Sequence, residues 1–271
     1  MKQMTLKSAS LVISLAVVGL ASPWATQGGE ELPDAATVVK RVVERAENLA
    51  RDGSRQRYLY QKRSVVEELD AAGKVSESTE KLYQVILIEG VPFSRLIKIQ
   101  NRDLTEAELK AEQRKEEAFR KKVTGKESVD KVRHGLGEEM GELVAHYDFK
   151  VERREHLGNR SALVLSFRPK ANRKLETAIL DKVLNRMAGT IWVDEEESEV
   201  ARLNVGLTEG ISLGWFGMVG SLKQCDFSLE NQRVADGVWL KAKQTILIAG
   251  RKVVSALRYR STEEEYGFRK P

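Results

Sequence analysis

At 271 residues the chain has room for one large domain or two small ones, and all-β barrels often fill this length alone. Charged residues make up 31% and hydrophobic ones 41%, an ordinary folded, soluble composition. The formal excess of +5 shrinks once Lys2 and Lys7 are set aside with the leader, leaving 43 basic against 40 acidic residues. That small excess, interspersed along the chain, excludes a nucleic-acid or other polyanion binder.

The first 25 residues differ in kind from the rest. "MKQMTLK" is basic, "LVISLAVVGL" is a ten-residue apolar run and "ASPWA" supplies small residues, the order of a secretory signal peptide. The run is short for a permanent membrane span. Cleavage after Ala21 fits, with Gly19 at the upstream small position, and no cysteine follows to carry a lipid anchor. Residues 1–25 therefore read as a signal peptide and 26–271 as one exported, periplasmic domain. Cys225 is alone and cannot form an internal disulfide, so the core must hold the fold.

"DAATVVKRVVERAENLARDG" predicts an amphipathic helix. Asp34 is its N-cap, Val38, Val39, Val42, Val43, Ala46, Leu49 and Ala50 recur at helical spacing, and Gly53 ends it. Its apolar stripe must cover a sheet. "QRYLYQKRSVVEEL" and "SESTEKLYQVILI" flank the turn "DAAGK", and "EGVP" leads into "FSRLIKI"; three antiparallel strands with short links follow. From about 103 to 122 the chain becomes charged. Thr105 with Glu108 forms a capping box, and Glu106 with Lys110 and Glu117 with Lys121 pair at helical spacing. This insertion reads as a solvated helix projecting from the sheet.

Strands resume with "HYDFKVERREHL" and "SALVLSFRPK". A helical stripe of Leu175, Ile179, Val183 and Met187 then ends at Gly189. "TIWV" and "EVARLNVGL" form a hairpin around Asp194, Glu195, Glu196 and Glu197. Further strands run to the end of the chain. Nine to eleven mostly sequential, antiparallel strands with two or three helices and no dividing linker predict a mainly β, α+β domain. Its form is a strongly curved antiparallel sheet or open half-barrel covered by helices.

No chemistry stands out. His134, Glu138, Glu142 and His146 recur in steps of four, but Gly135, Gly137 and Gly141 make a metal-bearing helix poor. No nucleophile elbow, phosphate loop or dinucleotide fingerprint is present. The four adjacent acids lack the alternate spacing and glycine of a calcium loop and read as a solvated turn. Neither catalytic nor metal or cofactor residues are assigned. A curved sheet covered by helices either fills its interior or leaves a cavity. Tyr58, Tyr60, Leu163, Leu165, Phe167, Trp192 and Trp239 are candidate lining residues. Trp215, Phe216 and Met218, set among glycines, form a candidate apolar gate or membrane-contacting loop.

"LDAAGKV", "VPFSRLIKIQNRDLTEAELKAEQRK", "LVLSFRPK" and "LNRMAGTIWVDEEESEVARL" come in an order that resembles exported proteins of the outer-membrane lipoprotein-sorting type, in the superfamily of the LolA and LolB lipoprotein carriers. The resemblance runs from about residue 35 to 268. It implies a half-barrel closed by helices that holds lipid or lipoprotein acyl chains, and so a non-enzymatic carrier or sensor. The alternative is an envelope structural or regulatory protein that binds a protein partner through its surface and has no cavity. A third is a hydrolase whose site carries no recognisable motif, for which alanine at Asp194, His134 or His146 would be the test.

Overall fold

The computed structural model describes residues 31–124, 144–171, 179–213, 220–252 and 255–271. The predicted signal peptide, His134, most of the His134–His146 segment, Leu175 and the Trp215–Met218 loop lie outside them. Helix α1, Ala35–Asp52, starts where the Asp34 carboxylate accepts the Thr37 N–H at 3.0 Å and stops at Gly53, whose φ of 63° suits a residue without Cβ. A 3₁₀ turn, Ser54–Arg57, leads into the strands.

Twelve strands form one antiparallel sheet: β1 (Leu59–Leu69), β2 (Val75–Ile88), β3 (Val91–Ile99), β4 (Arg102–Asp103), β5 (Tyr147–Leu157), β6 (Arg160–Pro169), β7 (Met187–Asp194), β8 (Val200–Leu207), β9 (Ile211–Leu213), β10 (Gly220–Ala235), β11 (Val238–Lys252) and β12 (Ser255–Arg269). Across the sheet they run β4-β3-β2-β1-β12-β11-β10-β8-β7-β6-β5, with β9 beside β10. The sheet is curved and does not close, because β4 and β5 are its two ends. Most neighbours are consecutive in the chain, joined by tight turns. In the β1–β2 turn the Asp70 carboxylate accepts the N–H groups of Ala72 and Lys74 at 2.9 and 2.8 Å. The β1–β12 pairing instead joins the two ends of the domain, Gln61 to Tyr266 through Glu68 to Tyr259.

Helix α2, Glu106–Val123, has the expected capping box but does not project from the sheet. Phe119 and Val123 pack with Ile88, Val91 and Phe93. The buried Glu112 carboxylate accepts the Leu96 N–H of β3 at 3.1 Å, and Arg95 of β3 holds Glu116 through two bonds of 3.0 Å. The helix covers a strand whose outer groups pair only briefly, with β4, and it does so with its charged residues as well as its apolar ones.

Helix α3, Ile179–Leu184, is the described part of the third predicted helix. Met187 and Gly189, expected to end that helix, already belong to β7. The Arg186 N–H bonds to Val183 O at 3.0 Å, and the Thr208 N–H bonds to Arg186 O at 2.7 Å, so the chain leaves the helix and enters the sheet within two residues. The main core cluster joins Val38 and Val42 of α1 to Leu163, Leu165 and Val193. Each buried aliphatic side chain of this size stabilises the fold by roughly 1.5–3 kcal/mol.

Candidate apolar cavity and its polar end

Residues paired directly across antiparallel strands face the same side, so register decides what the inner face presents. One row runs Phe149, Phe167, Gly189, Val205, Phe227 across β5, β6, β7, β8 and β10. The next runs Val151, Leu165, Ile191, Leu203, Leu229. Above these two apolar rows lies α1, presenting Val39, Val42, Val43 and Ala46. The helix and rows do not meet everywhere, and a cavity of about 440 Å³ remains between them. That volume falls within the roughly 300–1,000 Å³ of small-molecule sites.

The second row shows why the cavity stops at β10. Beyond Leu229 it continues through Gln244, Glu263, Ser64 and Lys81. On the same half of the sheet Lys241 bridges Glu263 at 2.7 Å and the buried Glu265 at 3.1 Å, and Lys62 lies 4.8 Å from the Tyr83 ring centre. Burial pushes the Glu265 carboxyl up against the pull of Lys241. Along this row the β5–β10 part is thus apolar and the part beyond β10 is polar and ion-paired.

Gly189 leaves a gap in the first row that a neighbour uses. A Cβ there would stand 2.9 Å from the tip of the Phe167 ring and 2.1 Å from Asn204 O. Phe167 covers the gap, edge-on to Tyr147 at 5.4 Å and beside Phe149 at 5.8 Å. The Tyr147 hydroxyl donates to Leu184 O at 2.8 Å, which ties α3 to this wall.

The cavity ends at the acidic turn, which is not a solvated loop. Asp194 is 1% exposed and holds Arg160 of β6 through two bonds of 2.5 and 2.7 Å. Glu195 takes Arg154 of β5 at 2.8 Å and the Ser161 hydroxyl. Glu197 takes Arg233 of β10 at 2.8 Å, the Trp239 indole N–H at 2.5 Å and the Gly237 N–H at 3.0 Å. Arg233 and Trp239 hold its carboxyl well down, at about 2. Glu199, 2% exposed, takes Arg45 of α1 at 3.0 Å and Arg55 of the 3₁₀ turn. Only Glu196 points mainly to solvent, its side chain 73% exposed. The expected solvated turn is instead a buried junction where four carboxylates gather arginines from five elements.

Of the predicted lining residues, Leu165 and Phe167 are on the cavity wall. Leu163 shares their face of β6 but is packed into the core against α1. Trp192 turns to the opposite face with Ala162 and Val164, donating to Glu155 at 3.2 Å, because it alternates with Ile191 and Val193. Trp239 is held in the acidic junction. Tyr60 lies against Phe268 at 5.3 Å, its phenol pushed up by burial and by Glu265. Tyr58 is buried beside the 3₁₀ turn. Trp215, Phe216 and Met218 lie outside the described residues. The wall also takes residues of α1, β8 and β10 beyond the predicted set, and the helical stripe and the alternation of "RLNVGL" and "CDFSLE" carry them.

Among the described residues no group of three His, Cys, Asp or Glu side chains converges as metal ligands do, and no helix is long and apolar enough to cross a membrane. Cys225 is half-buried in β10, and burial pushes its thiol up.

These features define an open antiparallel sheet folded over an apolar cavity and closed on that side by one helix. No protein-family model and no curated protein matches the chain. Among solved structures it is similar to one described as an outer membrane lipoprotein-sorting protein domain from Vibrio parahaemolyticus. Identity is 9% over 86% of this chain and 93% of that one, with a TM-score of 0.33. It is similar to a LolA superfamily protein from Nitrosomonas europaea at 11% identity, 86% and 93% coverage and a TM-score of 0.31. A DUF1329 family protein from Desulfovibrio piger gives 11% identity, 86% and 92% coverage and 0.29. The fold itself stands on the strand pairing of this chain.

Proposed function

We propose that the protein is a non-enzymatic carrier or sensor, exported to the periplasm, that binds the acyl chain of a lipid or lipoprotein between α1 and the apolar half of the sheet. The single observation that carries this is the cavity of about 440 Å³ with walls of Val, Leu, Ile, Phe and Met side chains. Each methylene moved from water into such a space contributes about 0.8 kcal/mol, so a chain of several methylenes binds without a charged anchor. The resemblance to lipoprotein carriers points the same way. A protein-binding envelope component with a filled interior would have no use for this space.

Native mass spectrometry of gently purified protein tests the proposal. The expected result is a population carrying a lipid-sized adduct, lost when the protein is extracted with organic solvent and regained on adding lipid. Protein that carries no adduct and takes up no added lipid contradicts it.

A further inference from the structure

We infer that the ligand is a single-chain amphiphile with an anionic head group, and that Arg55 receives that head at the polar end of the cavity. This inference rests on the carrier reading above. The cavity wall is apolar except at one end, where Arg55, Ser198, Glu199 and Asn231 enter it. Asn231 is committed, its amide donating to Val200 O at 2.7 Å. Two guanidiniums, Arg45 and Arg55, share the single carboxylate of Glu199, which leaves one positive charge in excess at the end of an apolar space.

The two arginines are not equivalent. Arg45 spends its groups on Glu199 and on the Gly237 carbonyl. Arg55 reaches Glu199 through Nη2, while its Nε is buried and has no hydrogen-bond partner among the described residues. The Ser54 hydroxyl and the Tyr58 hydroxyl are also buried and without partners there. Unpaired buried groups in and just after the 3₁₀ turn are costly, and of these residues it is Arg55 that lines the cavity. A carboxylate or phosphate beside Arg55 offers acceptors to its guanidinium and balances the excess charge, whereas an alcohol or ester head balances none. Glu199 then acts as the competitor that holds Arg55 when no ligand is present.

The test is a titration of wild type, Arg55→Gln and Glu199→Gln with tridecanoate, dodecyl phosphate and dodecanol, three ligands with the same twelve-carbon tail. Wild type should bind an anion tighter than the alcohol by about tenfold or more, the scale of one charge-assisted hydrogen bond. Arg55→Gln should bring the three ligands together, and Glu199→Gln should widen the gap by freeing Arg55. A preference for dodecyl phosphate would identify a phospholipid-type head, and one for tridecanoate a fatty acid. Equal binding of all three by wild type overturns the inference and leaves the apolar cavity standing. A preference that survives Arg55→Gln overturns the role of Arg55. Failure to bind any of the three overturns both the inference and the carrier reading.

Discussion

The residues around Asp194 show how burial changes the meaning of a charge. Four acids in a row look solvated because the sequence places no cation beside them. Their partners, Arg160, Arg154 and Arg233, come from 34 to 41 positions away, those of the neighbouring Glu199, Arg55 and Arg45, from 144 and 154, and nothing local announces them. Once buried, each pair is costly to break singly. Asp194→Ala leaves the Arg160 guanidinium, 18% exposed, without its bidentate partner, and should cost about 3–5 kcal/mol in urea denaturation. Asp194→Ala combined with Arg160→Leu should recover part of that loss. Glu197 governs a pH effect. Its folded pKa of about 2 lies below the ordinary 4.5, so the unfolded chain takes up the proton first. The stability it contributes is fully present above about 4.5 and is lost as pH falls toward about 2. Urea midpoints measured across that window should fall less steeply for Glu197→Gln than for wild type.

At the scale of elements, the local signals were legible and the long-range ones were not. The Asp34 and Thr105 caps, the turn glycines and the alternation of β6 are short-range chemistry, and each element they announce is present. The destination of α2 was not legible, because its few apolar residues give little sign of a buried face. What docks it is a carboxylate, Glu112, reaching the Leu96 N–H of an edge strand. Glu112→Ala should cost about 1–3 kcal/mol by leaving that N–H unpaired. It should also raise aggregation on heating, measured by light scattering, as the β3 edge becomes free to pair with another chain. Gly189 follows a helical stripe, where glycine usually marks a helix stop. In β7 its role is to leave room for Phe167 and for the close approach of β8. Gly189→Ala should lower stability by about 1–3 kcal/mol through overpacking, and should shift the near-ultraviolet signal of the Tyr147, Phe149 and Phe167 cluster.

At the scale of the whole molecule, one face of one sheet is divided in two by register. The row that begins as Val151 to Leu229 turns polar at β11, where Gln244 and then Glu263 follow, whereas the row from Phe149 to Phe227 continues through Ile246 and turns polar only at Ser261 of β12. The curved open sheet was legible from strand count and turn spacing. The division was not, because it depends on which residues of β10 and β11 stand opposite, and bulges near Glu230 and Leu222 shift that register. The central claim is that the apolar half holds a ligand, and filling the space without opening the core tests it most directly. Ala46 lies on the cavity wall from α1, so Ala46→Phe occupies the void while Val38, Val42 and Leu49 still anchor the helix. Titration of an apolar fluorescent probe into both proteins, with the melting temperature as control, gives the answer. The account predicts saturable binding by wild type and loss of at least about tenfold in affinity, roughly 1.4 kcal/mol, in a folded Ala46→Phe. Equal probe affinity in both proteins, or none in wild type, would contradict it.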